Sequence, residues 1–364
     1  MFQADSTALS LMAPWTHWAW AVWERERQGE PTALAPPSQP LHADVASGSG
    51  LGGLVSLALK HVHDPRAALL SRTGTSVLAA NVMRRAQFQT LARALDAKAL
   101  RWCLIKGGAF TAQFPEWLPH RQMTDLDVLV DPAHAETAMQ VLRDLGYIRV
   151  DGTGSLVGAW AAASTWQRRE HTLLELDLHG RLHHPPLLAG MEQSVLAERV
   201  HGQGLVWADP VWSVVIAAVH RARSGYRNAA SELLDVAVWT RSWTEPQWRQ
   251  LWSHAETWTL QLPVMALLWG CAAWLNPTHI RQAIQWLDPA GRHERTARAM
   301  AEGRWRTGHD GSGVLPMAKL YAPFAMAAVH APGRRAMQSG ARLSTAFVVH
   351  GVLRSTDALF RRGN

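Results

Sequence analysis

Two carboxylates, Asp125 and Asp127, flank Leu126 at the head of an apolar run that continues through Val128, Leu129 and Val130. An extended strand alternates its faces, so the two aspartates share one face while Leu126, Val128 and Val130 take the other. Acids placed side by side repel and are poor strand formers, so they need a compensating partner. A divalent cation with oxygen ligands, Mg²⁺ first, is the simplest one. A second alternating run, Thr172–His179, puts Glu175, Asp177 and His179 on one face and Leu174, Leu176 and Leu178 on the other. Laid beside the first strand in a sheet, it would add a third carboxylate to the pair. Upstream, Lys106-Gly107-Gly108 stands between the apolar run Leu100–Ile105 and a helix-capable stretch. A glycine pair there lets backbone come close to a ligand, and a helix start offers N–H groups and the positive end of its dipole to phosphate.

Ile105-Lys106-Gly107-Gly108-Ala109-Phe110, followed by Arg121 and then Asp125-x-Asp127, resembles the nucleotidyltransferase superfamily built on the polymerase-β-type fold. The pattern is most similar to a bacterial group with KG, R, DxD and DxH in that order. The match extends to Glu175-Leu176-Asp177-Leu178-His179, more faintly to His220 and Leu234-Asp235, and so covers residues 95–240. The resemblance implies catalytic and metal-holding roles for Asp125, Asp127 and Asp177. Asp177 is the third acid and candidate general base, with Glu175, on the same face, as the fallback. It implies that Lys106, Gly107, Gly108 and Arg121 meet the donor nucleotide. Where many relatives have Gly-Ser, this chain has Gly107-Gly108-Ala109, so a hydroxyl contact to phosphate is absent or comes from Thr111.

Other residues divide between chemistry and support. Arg121 either binds phosphate or pairs with Asp125 or Asp127 to hold the loop. Thr124 reads as a local cap, and His179 as an orienting group. Asp235, inside Leu233–Ala237, must find a partner for a buried charge, and His220 or Arg227 would serve. Trp239 could stack on a base, though core packing suits it better. His171, His183 and His184 match no common zinc spacing.

The chain of 364 residues is 48% hydrophobic and 18% charged, enough for two domains and a sizeable core. A formal charge of +7 and a pI near 10.1 suit an anionic partner, nucleotide or nucleic acid included. The 19 Trp residues read mostly as core. Cys103 and Cys271 have no ligand-spaced neighbours, which excludes zinc-site and disulfide-framework readings and favours a reducing, cytoplasmic compartment. The stretch Ala8–Trp23 is short, is broken by Pro14 and His17 and has no basic leader, so neither a signal peptide nor a membrane span is expected.

The elements that must position these residues read as α+β. Residues 1–53 form a Trp-rich N-terminal arm and linker. Residues 54–185 form a nucleotidyltransferase domain with a small mixed sheet, and 186–364 a mainly helical domain. Helices fit 54–98. Then follow strand 101–106, helix 108–114, strand 125–130, helix 133–145 with Gly146 as its C′ glycine, strand 147–150, a turn at Asp151–Gly154, and strand 172–179. Beyond Pro186 strand signals fade, and helices fit 210–223, 229–242, 245–256, 260–274, 277–287, 291–302, 317–329 and 331–361, the last with a basic end that suits a solvated face. The function expected from the resemblance is Mg²⁺-dependent transfer of NMP, AMP from ATP in the first instance. The acceptor would be a small molecule or peptide, in natural-product (lasso peptide) or polysaccharide biosynthesis. The alternatives are a toxin-like RNA-modifying enzyme and a non-catalytic scaffold that keeps the fold.

Overall fold

The computed structural model describes residues 6–30, 34–41, 51–150, 163–168, 171–182, 188, 190–223 and 230–301. Among the described residues, three helices precede the sheet: α1 (Ser6–Gln28), α2 (Gly52–His61) and α3 (Ala67–Ala97). The arm docks on the body. Met12, Trp15, Trp18, Trp20 and Trp23 are buried, and the Thr16 hydroxyl reaches the Trp274 carbonyl far along the chain. Pro14 is carried inside α1, because tertiary packing rather than propensity holds this helix.

The sheet has seven strands: β1 (Trp102–Leu104), β2 (Asp125–Val130), β3 (Tyr147–Arg149), β4 (Ala163–Arg168), β5 (His171–His179), β6 (Val200–Gly202) and β7 (Leu205–Trp207). Their spatial order is β3-β4-β5-β2-β1-β7-β6. β2 pairs antiparallel with β1 and parallel with β5, and β1 pairs parallel with β7, so the sheet is mixed. Helix α4 (Lys106–Gln113) follows β1 directly, and α5 (Ala135–Asp144) follows β2 after a short 3₁₀ turn. Gly146 takes φ +82° just past α5, the left-handed conformation a C′ glycine supplies.

Three expectations need correcting. Strand β4 was not anticipated, and strand structure does not end at Pro186, since the β6–β7 hairpin joins the sheet through Leu104 and Trp207. Its turn residues, Gln203 and Gly204, both have positive φ, the geometry of a tight hairpin turn, but glutamine at the first position is a weak sequence signal for it. A short helix, α6 (Met191–Ala197), precedes the hairpin and was also missed. The buried Glu192 carboxylate fixes its start by accepting from the backbone N–H groups of Leu182 and Gly190.

The later helices are α7 (Pro210–Arg223), α8 (Ala230–Thr240), α9 (Glu245–Thr257), α10 (Gln261–Trp274), α11 (Thr278–Leu287) and α12 (Glu294–Ala301). Helix α10 is apolar on all sides, as a helix enclosed by others must be, and contacts α1, α7, α8, α9, α11 and α12. Among the described residues, no helix is long and apolar enough to cross a membrane. The turn Asp151–Gly154, His183, His184, Arg227 and the helices expected after residue 316 lie outside the described residues.

Gly53, on α2, lies against the backbone of His120: a Cβ there would fall 1.8 Å from the His120 carbonyl oxygen. Backbone cannot retreat as a flexible side chain can. Gly53→Ala is therefore expected to destabilise the fold by about 1–3 kcal/mol, read as a lower urea midpoint. An unchanged midpoint would show that the two segments separate freely.

Candidate active site

The register of β2 and β5 assembles the site. Asp127 lies opposite Asp177, and Asp125 opposite Glu175, across the parallel pair. Two donors converge on one oxygen of Asp127: Lys106 Nζ at 2.7 Å and His179 Nε2 at 2.8 Å both reach Oδ1. The next strand contributes as well, since Thr165 on β4 donates its hydroxyl to Asp177 Oδ1 at 2.7 Å. Asp127, Asp177 and His179 each offer a ligand atom within 4.8 Å of the others. That trio differs from the expected Asp125, Asp127 and Asp177. His179 joins it because it follows Asp177 by two on the same face, and Asp125 sits one step along β2.

The family model described as uncharacterised nucleotidyltransferase matches residues 48–276, well over half of the chain. The chain belongs to this family. Among curated proteins none matches it. The match begins before α2 and ends just past α10, so among the described residues it spans α2, α3, the sheet and the helices through α10.

The electrostatics of the site suit a cation-binding centre. The Asp127 charge, then burial, pushes the Asp125 carboxyl up to about 6. Asp127 itself is buried, which alone would raise it, but Lys106 and His179 hold it well below the usual carboxylate range. Burial likewise works against the Lys106 ammonium, and Asp127 and Asp125 outweigh it, so the lysine stays charged. Burial lowers the His179 imidazole, which is therefore neutral near pH 7. With Nε2–H donating to Asp127, the buried Nδ1 has no hydrogen-bond partner. Two carboxylates and a neutral imidazole form a donor set that Mg²⁺ or Mn²⁺ accepts.

The raised Asp125 group has a consequence for stability. Between about pH 4, where an unfolded aspartate titrates, and pH 6, the folded chain holds a proton that the unfolded chain releases. The contribution of Asp125 is thus most favourable below pH 4 and is lost as pH rises through 6. In metal-free protein, Asp125→Asn should raise stability at pH 7.5 by about 1–2 kcal/mol, allowing for partial solvent screening, and give no gain at pH 4. Urea unfolding at the two pH values checks this, and an equal effect at both would refute the repulsion.

Of the two readings of Arg121, the pairing with Asp125 or Asp127 is not what the structure shows. The Arg121 guanidinium forms a two-pronged pair with Asp235 of α8, Nε to Oδ1 and Nη2 to Oδ2, each at 2.8 Å, with both side chains buried. It also donates to the Gln122 carbonyl. The partner of Asp235 is therefore Arg121 rather than His220, which instead pairs with Glu232. Arg121 pairs with neither Asp125 nor Asp127 and acts from the loop that enters β2.

The glycine pair has a packing reason of its own. A Cβ on Gly108 would fall 2.8 Å from the Phe88 ring of α3, and one on Gly107 3.2 Å from Arg121 Nη2 and Met123 Cγ. Lys106, at the strand-to-helix turn, takes φ +51°, an unusual conformation for a lysine, and this places its ammonium on Asp127. Thr111 does not offer its hydroxyl outward: it is buried and bonds back to the Gly107 carbonyl at 3.0 Å. Thr124 donates to Asp125 Oδ1 at 3.1 Å. Trp239 is core, edge-on to Phe110 with its N–H on Gln113. Sequence reasoning missed Thr165, Asn81 and Arg84, all of them neighbours of the site. The outward register of β4 would have marked Thr165, had that strand been visible.

Proposed function

We propose that the chain transfers a nucleoside monophosphate from a nucleoside triphosphate to an acceptor hydroxyl or phosphate, with ATP the first donor to test. The observation that supports this reading is the parallel register that sets Asp177 beside Asp127 while Lys106 and His179 occupy the other side of Asp127. Asp125, Asp127 and Asp177 would hold Mg²⁺, with His179 close enough to share in or orient the set. Bound there, the cation supplies charge neutralisation on the triphosphate and acidifies the acceptor hydroxyl. The acceptor oxygen attacks the α-phosphorus in line. The bond to the bridging oxygen breaks, pyrophosphate leaves, and Asp177 takes the acceptor proton. Lys106 and the backbone at Gly107 and Gly108 receive phosphate charge, so positioning and electrostatics carry the rate.

We assign residues 54–185 to donor binding and chemistry, and the remainder, which adds the β6–β7 hairpin and the later helices, to the acceptor, a small molecule or peptide. A tailoring step in lasso-peptide or polysaccharide biosynthesis is the context that the resemblance suggests. The +7 charge keeps an RNA acceptor as the second reading, with a steep salt dependence as its signature. The deciding experiment is a melting-temperature panel with ATP, GTP, CTP and UTP, each with and without Mg²⁺, on wild type and on an Asp125→Ala/Asp127→Ala variant. A Mg²⁺-dependent rise with a nucleotide, absent in the variant, is expected, since a ligand of the native state must stabilise it. No rise with any of the four would move the reading to a scaffold.

A further inference from the structure

We infer that Asn81 and Arg84, on α3, are positioning residues for the transfer reaction: together they hold the loop 118–124 and through it set the place of Asp125. The inference rests on the nucleotidyl-transfer reading. Asn81 is fully buried, and its amide Nδ2 donates to two carbonyls of that loop, Leu118 at its start at 2.8 Å and Arg121 at its middle at 2.6 Å. Three residues on, and so on the same helix face, Arg84 reaches the other end, with Nη2 to the Thr124 carbonyl at 3.4 Å and Nη1 to Asn81 Oδ1 at 3.4 Å. Thr124 is the residue before Asp125, and the charges of Arg84 and Asp125 interact. One turn further along the same face, Phe88 fills the space beside Gly108. A single face of α3 thus touches both the glycine turn and the entry to the carboxylate strand.

The loop needs an external hold. Its downstream residue is an aspartate repelled by the next one, and a strand end carrying such a charge relaxes away unless something fixes it. Gly53 and Asp235 brace the loop from two other elements, through the His120 backbone and the Arg121 side chain. Asn81 and Arg84 are the brace that reaches both loop ends. Apolar residues would pack α3 equally well, so polar groups aimed at loop carbonyls point to positioning rather than burial.

The test uses full-length Arg84→Met, Arg84→Lys and Asn81→Ser, with three readouts: ligand-free melting temperature, amide exchange over 118–125, and the Mg²⁺ concentration giving half the melting shift of saturating ATP. Groups that orient metal ligands typically change metal affinity by about 10–100-fold. Arg84→Met and Asn81→Ser should each lose exchange protection across the loop and need about tenfold more Mg²⁺, with Arg84→Lys intermediate and its ligand-free melting temperature near wild type. A Mg²⁺ requirement within twofold of wild type in Arg84→Met overturns the inference, and so does unchanged loop exchange in both Arg84→Met and Asn81→Ser. If wild type shows no ATP shift at all, the nucleotidyl-transfer reading fails, and with it the catalytic role given to these residues. Loop exchange in the variants would still report whether the brace exists.

Discussion

Asp127→Asn should abolish transfer while leaving the chain folded. Asparagine keeps the size and shape of the side chain, so the register of β2 and β5 survives. What is lost is the charge that Lys106 and His179 pair with and that would hold the proposed cation. A site that works by positioning and charge neutralisation has no second route, and loss of a metal ligand costs on the order of 10²–10³-fold in rate, about 3–4 kcal/mol of transition-state stabilisation. The measurement is incorporation from α-labelled ATP, with the Mg²⁺-dependent ATP melting shift as a readout that needs no acceptor. The same variant should lower the Asp125 carboxyl from about 6 toward its ordinary value, because the charge that raises it is gone. Activity above a tenth of wild type would remove Asp127 from the centre of the mechanism.

The largest stability effect should come from the Arg121–Asp235 pair. Both side chains are almost fully enclosed, 8% and 1% exposed, and the pair links the loop entering β2 to a helix more than a hundred residues later. Burial raises Asp235, and only the guanidinium offsets it. Asp235→Ala strands a buried arginine and should cost about 3–5 kcal/mol, read from urea unfolding. Replacing both partners, as Arg121→Met/Asp235→Leu, removes the stranded charge and should restore most of that loss. The double variant also separates two roles for Arg121. If it is stable and still binds ATP with Mg²⁺, the arginine only holds the loop. If it is stable but no longer responds to ATP, the arginine reaches the donor as well. A loss under 1 kcal/mol in Asp235→Ala would mean that the site opens to water.

Much of the candidate site was legible because the chemistry is written in short spacings. Asp125-x-Asp127 and Glu175-x-Asp177-x-His179 share a period of two, which fixes the facing of each acid before any fold is known. The helices were legible where an apolar stripe or an opening Pro or Thr marks them, and at α9 the structure completes the signal, with Thr244 and Gln247 forming a capping box. Strands β6 and β7 were not, because three residues each carry too little alternation to stand out and Gln203-Gly204 is a poor turn signature.

The sequence by itself determined which residues could do the chemistry: three acids on alternating strands, a lysine and two glycines at a strand-to-helix turn, and a helical majority after residue 210. Only the tertiary structure decided how they are used. It set Asp177 rather than Glu175 opposite Asp127, drew His179 into the group, gave Arg121 to Asp235, and placed Asn81 and Arg84 behind the loop that leads to Asp125. The reason is physical. Facing along one strand follows from local geometry, whereas strand register and the partner of a buried charge depend on which distant segments the core brings together, and no short spacing encodes that.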